Sequence, residues 1–268
     1  MRSRTSHEVD GHGRWSAIRT DLKGEERMLL AVPPTVVFDL DGTLVDTVPD
    51  IAAALDSALQ RYPSCVTSPR DAAAMMGDGL GTLFWRALVA KRLRIPAEEA
   101  TEALQHFLAA YARAPATLSR LYPGIRPLLE EIRGYGIRTA VCTNKVESIA
   151  LRILDQLEIL VLFDAVVGYR DDRPKKPDPI PLLDAIEQAG GSRERALMVG
   201  DSAPDSGAAA AARVPVILVS YGYCPIPVHT LPADRHVDDT LALRGEVLHF
   251  IGANTNGLPS AAFHRVRP

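Results

Sequence analysis

Five short runs of apolar, largely β-branched residues, "TVVFDL", "IRTAVCT", "FDAVVG", "RALMVG" and "VPVILVS", recur from Thr35 onward with helical patterns between them. Such runs are apolar on both faces, so each must be covered on both sides. Alternation with helices meets that demand through a parallel sheet wrapped by helices. The exception is residues 48–117, which hold no comparable β run. They show helical periodicity in "PDIAAALDSALQRY", "GLGTLFWRALVAKRL" and "AEEATEALQHFLAAYARA". A connection that long within a sheet is usually a functional insertion. The pattern predicts an α/β fold, a Rossmann-like parallel sheet core built from 28–47 and 118–245, with 48–117 inserted as an α-helical cap.

The ends of the chain carry a different signal. Residues 1–27 mix both charge signs with Gly, Ser and His and have no sustained apolar period, so they read as a poorly ordered extension, with Met28 an alternative start of translation. Residues 246–268 read as a C-terminal tail because "IGANTNGLPSAAFHRVRP" is polar and aperiodic.

The runs end in chemically unusual ways. The first terminates in Asp39 and Asp41, which lie two apart and so on one side of a strand, followed by Gly42, which permits a tight turn. Buried carboxylates are costly unless something positive or reactive lies between them. A calcium loop is excluded, since Leu44 stands at its sixth position and Asp50 at its twelfth. The second run ends at Thr143 and Asn144, which suit either a helix N-cap or an anion grip. Lys175 and Lys176 lead into the proline-rich turn "KPDP", which on its own also suits a surface loop. The fourth run ends at Asp201 with Asp205 one helical turn on, a pair that suits a helix cap or a hard divalent cation such as Mg²⁺.

In the order D-x-D, T-N, K-P and D-x-x-x-D, these strand ends can converge at one sheet edge, where open α/β folds bind ligands. The motifs "FDLDGTLVDT", "VCTNK", "KPDP" and "VGDSAPD" resemble the four motifs of the haloacid dehalogenase superfamily, in order over residues 35–220. Within it, "DTVPDI", "GDGLGTLFWRAL", "LYPGIRPLLEEIR" and "VSYGY" are most similar to the phosphoglycolate phosphatases. The resemblance implies a phosphatase in which Asp39 is the nucleophile and Asp41 the proton donor and acceptor. It implies Mg²⁺ held by the Asp39 carboxylate, the Asp41 carbonyl and Asp201, supported by Asp205. Thr143, Asn144 and Lys176 would hold phosphate oxygens. The cap loop from Gly77 through Gly79 to Gly81 would face the substrate. Arg86 is a candidate partner for a substrate carboxylate, or else an exposed helical arginine.

One departure stands out. Arg213 occupies a helix end that is commonly Gly in relatives, so the exit is expected to be strained or reshaped.

Composition narrows the partners. Thirty Lys and Arg against 33 Asp and Glu give a net charge of -3, which offers no electrostatic reason to expect nucleic acid. No apolar run approaches the roughly 18 residues of a membrane span. Cys65, Cys142 and Cys224 are odd in number and widely spaced, which suits a reducing, cytoplasmic setting. The expected partner is a small phosphorylated metabolite, 2-phosphoglycolate first, handled by a monomer or homodimer. A phosphosugar phosphatase or phosphomutase, a nucleotide or pyrophosphate hydrolase, and a non-catalytic binding protein are the alternatives. A true dehalogenase has no use for Asp41 as an acid.

Overall fold

The computed structural model describes residues 32–62, 67–76 and 79–254. The expectations for residues 1–27, Met28, Cys65 and Gly77 lie outside them. The chain enters as β1, Thr35–Phe38, turns at Gly42 and forms β2, Val45–Asp46. Among the described residues, four helices follow: α1 (Val48–Ala58), α2 (Pro69–Ala73), α3 (Leu80–Ala90) and α4 (Ala97–Arg113). Strand β3, Arg120–Leu121, then pairs antiparallel with β2, Asp46 opposite Arg120. This two-stranded stem carries the chain into the helices and back out. Asp50, at the start of α1, fixes the stem by accepting from the Leu118 and Ser119 N–H groups at 2.9 and 2.6 Å and from the Ser119 hydroxyl at 2.6 Å. The helices have an apolar centre of their own, with Ile51, Leu55, Phe84, Phe107 and Tyr111 buried together.

The remaining elements alternate. They are α5 (Ile125–Gly134), β4 (Arg138–Val146), α6 (Glu147–Gln156), β5 (Ala165–Tyr169), α7 (Ile180–Gln188), β6 (Ala196–Gly200), α8 (Ala203–Ala212), β7 (Val216–Val219), β8 (Arg235–Val237) and α9 (Thr240–Asn254). Six strands make one sheet in the order β5-β4-β1-β6-β7-β8, every pair parallel. Period-two alternation sends Val36 and Phe38 into one buried cluster, with α5, α6 and α9. Val37 points the other way, into a cluster with α7 and α8. From β1 the sheet grows first toward β4 and β5, then on the other side toward β6. The order therefore reverses at β1, and a crevice opens there beyond the carboxyl ends of the strands. Phe38 is level with Val141 and Val199, so the residues just past them, on three adjacent strands, meet at one edge.

Two expectations change. The tail does not begin at 246, because α9 continues to Asn254, and Val247 and Ile251 are fully buried. The polar letters of this segment hid a sparse apolar stripe at 243, 247 and 251, which recurs every four residues and anchors one helix face. Arg213 leaves the helix exit in its usual shape: its φ of 57° and ψ of 44° are the left-handed stop that glycine normally takes. Its side chain is exposed, so replacing it removes no buried contact. A non-glycine residue there costs on the order of 1 kcal/mol. Arg213→Gly is expected to stabilise the fold by about 0.5–1 kcal/mol, raising Tm by about 1–4 °C in thermal denaturation; a lower Tm would show that the arginine makes a compensating contact.

Candidate active site

Asp39 follows the last residue of β1, and its N–H donates to the Val199 carbonyl at 2.8 Å, which locks it against β6. Its carboxylate meets Lys176, whose ammonium donates to Asp39 Oδ1 at 2.8 Å, Asp205 Oδ1 at 2.6 Å and the Cys142 carbonyl at 2.7 Å. All three donors of the ammonium are engaged. The turn that delivers Lys176 is itself held by Asn144, whose side-chain oxygen accepts from the Lys176 N–H at 2.8 Å while its amide donates to the Lys176 carbonyl at 2.9 Å. Strand β4 runs on through Thr143, Asn144 and Lys145, and the next helix has Val146 as its N-cap with no side-chain cap. The capping reading of Thr143 and Asn144 therefore falls. Asn144 braces the lysine turn, and Thr143, 3% exposed, faces the site.

Asp205 is the third residue of α8. Its Oδ2 accepts from the Ser202 hydroxyl at 2.6 Å and the Ser202 N–H at 3.1 Å, a capping box. Its other oxygen holds Lys176, so Asp205 supports the cluster through its neighbours. Asp201 lies between two close backbone approaches: a Cβ on Gly42 would fall 2.3 Å from its Oδ2, and one on Gly222 2.2 Å away. Only glycine fits these places, and Gly42 also needs its positive φ of 84°.

Asp41 has two partners that sequence reasoning missed. Lys145 donates to both its oxygens, at 2.8 and 3.0 Å, and the Thr47 hydroxyl donates to its Oδ1. Lys145 is two residues beyond Thr143 on the same strand, so the period-two rule that places Thr143 in the site could have found it. A third omission is Tyr223. Its backbone N–H donates to Asp201 Oδ2 at 2.6 Å, while its hydroxyl donates to Asp46 and accepts from the Thr47 N–H at 2.8 Å.

These charges do not balance. Burial pushes Asp39 up to about 7; Lys176 pulls it down, and Asp205 and Asp41 push it further up. Asp201 is raised well above the usual carboxylate range by burial and by Asp205 and Asp39. Burial alone would lower both lysines, yet Asp205 and Asp39 hold Lys176 up, and Asp41 holds Lys145 up. The lysines are therefore fixed cations, and the site still has a surplus of carboxylate. Oxygens of Asp39, Asp201 and Asp205 lie within 4.8 Å of one another, all hard donors, which suits Mg²⁺ in both charge and chemistry.

A cavity of about 880 Å³ opens onto the cluster, lined by Asp39, Asp41, Thr143 and Asp201 from the sheet edge and by Gly79 and Arg86 from the helical insert. Gly79 starts α3 with a φ of 89°. Arg86 is exposed on the cavity wall, and one of its nitrogens donates to the Met75 carbonyl at 3.1 Å.

The family model for haloacid dehalogenase-like hydrolases matches residues 33–213. The chain belongs to that family and is an enzyme. A phosphoglycolate phosphatase of Rhodospirillum rubrum is 41% identical over 226 residues, covering 82% of this chain and 92% of the relative. One from Caulobacter vibrioides is 37% identical over 200 residues, covering 75% and 84%. A crystal structure described as a predicted phosphoglycolate phosphatase from Haemophilus somnus superposes with a TM-score of 0.72 at 30% identity, covering 81% of this chain and 96% of that one. The two curated relatives named, which this chain matches over most of its length, are phosphoglycolate phosphatases.

A proton held on Asp39 by burial would have to leave for a cation to bind, so Mg²⁺ affinity is expected to fall as pH drops below about 7, by about tenfold per unit for each proton displaced. Calorimetry at pH 6 and 8 in buffers of different ionisation enthalpy reads both the affinity and the released protons. Equal affinity with no proton release would contradict the charge balance.

Proposed function

We propose that the protein is a Mg²⁺-dependent phosphatase that hydrolyses a small phosphorylated metabolite, 2-phosphoglycolate first, through a phosphate ester on Asp39. The observation that carries this reading is the pair of aspartates at one cavity wall, each bound to its own buried lysine. Phosphate ester cleavage needs a nucleophile, a proton for the leaving alkoxide and positive charge around the phosphoryl oxygens. The Asp39 carboxylate attacks phosphorus as the bond to the leaving oxygen breaks, and Asp41 gives that oxygen its proton. Asp41 then takes a proton from water, whose oxygen attacks phosphorus and frees Asp39 and inorganic phosphate. Thr143 and Lys176 hold phosphoryl oxygens, and Asn144 keeps Lys176 in place. Mg²⁺, held by Asp39, the Asp41 carbonyl and Asp201, would neutralise phosphate against carboxylate. The helices of residues 48–117 act as a cap that limits access, with Gly79 at its inner face.

No described helix is long and apolar enough to cross a membrane. The reading carries with it action in the cytoplasm on a small substrate, as a monomer or homodimer. The cavity falls inside the range of small-molecule sites, about 300–1,000 Å³, so a larger phosphorylated metabolite is the competing substrate class.

Asp39→Asn is expected to lower kcat at least 10³-fold while leaving Tm within a few degrees of wild type, since an amide cannot be the nucleophile. Phosphate release with Mg²⁺ from 2-phosphoglycolate, a phosphosugar and a nucleoside monophosphate ranks the substrates. Activity retained in Asp39→Asn would remove the nucleophile assignment, and preference for the nucleotide would remove 2-phosphoglycolate.

A further inference from the structure

We propose that Lys145 is the residue that selects a substrate with a carboxylate next to its phosphate ester, by exchanging its contact with Asp41 for that carboxylate. The inference deepens the phosphatase reading and rests on it, because the direction of the leaving group follows from the roles of Asp39 and Asp41.

With phosphorus at Asp39 and the leaving oxygen at Asp41, whatever is attached to that oxygen passes the groups that surround Asp41. Lys145 lines the same cavity and is bound to both oxygens of Asp41 at 2.8 and 3.0 Å. In 2-phosphoglycolate the carboxylate is one carbon beyond the leaving oxygen, within reach of a cation that already touches Asp41. Beside Lys145 is a second group suited to the same anion. Tyr111, from the last helix of the insert, presents its ring 4.9 Å from the Lys145 ammonium, and its buried hydroxyl makes no well-formed hydrogen bond beyond its interaction with that ammonium. A buried hydroxyl so poorly satisfied can turn to an anion that reaches Lys145.

The other described cations on the cavity wall are placed elsewhere. Lys176 sits between Asp39, Asp205 and the Cys142 carbonyl, at the phosphoryl end of the site. Lys175 stacks on the Tyr169 ring at 3.9 Å. Arg86 bonds the Met75 carbonyl within the insert. Lys145 holds a single carboxylate, and its side chain is only 5% exposed, so a carboxylate meeting it would be shielded from water. Binding the insert's Tyr111 and the sheet's Lys145 together, that carboxylate would also tie the cap to the core.

The test compares kcat/KM for 2-phosphoglycolate and ethyl phosphate, the same two-carbon ester with a methyl group in place of the carboxylate. The expected wild-type preference for 2-phosphoglycolate is about 100-fold or more, given that a charged hydrogen bond is worth about 1.5–3 kcal/mol and two donors contribute. Lys145→Met should cut that preference at least 30-fold, chiefly through KM for 2-phosphoglycolate, with Lys145→Arg restoring part of it. Tyr111→Phe should cut it by about 3–10-fold, and Arg86→Met by less than threefold. Lys145→Gln, which keeps a hydrogen bond to Asp41, is measured alongside in case the methionine variant unfolds. Equal losses on both substrates would overturn the proposal, as Lys145 would then act only through Asp41. A preference lost in Arg86→Met instead would also overturn it. A wild-type ratio near one would overturn it while leaving the phosphatase reading intact, whereas hydrolysis of neither ester with Mg²⁺ would overturn both.

Discussion

Carboxylates packed against the end of an apolar sheet are unstable without positive charge, and the rest of this site is arranged around that constraint. Asp39, Asp201 and Asp205 are 7%, 2% and 0% exposed. Lys176, itself buried, answers two of them directly. Removing one member of such a buried set typically costs about 3–5 kcal/mol, because the partner is left charged and unpaired. That cost explains why so many neighbours are spent on holding Lys176 in place: Asn144 grips its backbone from both sides, and the capping box of α8 orients Asp205. One lysine does not offset three carboxylates, and the raised affinity of Asp39 and Asp201 for protons comes first from burial and then from their carboxylate neighbours. A divalent cation bound there would remove the imbalance, so on the proposed reading metal and substrate would neutralise one buried cluster in two stages.

The helical insert is joined to this cluster through its stem. Tyr223 bonds Asp201 with its backbone and the stem residues Asp46 and Thr47 with its hydroxyl. Thr47 in turn bonds Asp41. Thr47, at the start of the insert, is therefore one hydrogen bond away from Asp41 and is joined through Tyr223 to Asp201. A shift of α1 would be felt at Asp41 and Asp201 through short polar contacts, with no need for a long path through the core.

Much of this was legible in the sequence. Five of the six strands in the sheet announce themselves as apolar runs, because a strand covered on both faces has no room for polar residues. The sixth, Arg235–Val237, is three residues at a sheet edge with two of them exposed, so it carries no apolar signal. The two-residue stem strands are invisible for the same reason. Asp39, Asp41, Lys176, Asp201 and Asp205 could be picked out because charges at the ends of buried strands need an explanation. Lys145 was legible only as the period-two neighbour of Thr143 on its strand, and Tyr223 was not, since a tyrosine after a strand looks like surface until the partner strand is known. Asn144 shows the opposite limit: its place was legible, but its amide is turned to a backbone 32 residues away, a contact that only the tertiary fold creates.

The central claim is that Asp39 forms the bond to phosphorus. It is tested most directly by mixing enzyme, Mg²⁺ and excess 2-phosphoglycolate, quenching in acid on the millisecond scale, and locating the added phosphate by peptide mass spectrometry. The account predicts a transient, acid-stable and hydroxylamine-sensitive phosphate on the peptide that contains "TVVFDLDGTLVDT", assigned to Asp39, at a level that falls as substrate is consumed. Phosphate on any other residue, or turnover in which no protein-bound phosphate forms within the first catalytic cycle, would contradict it.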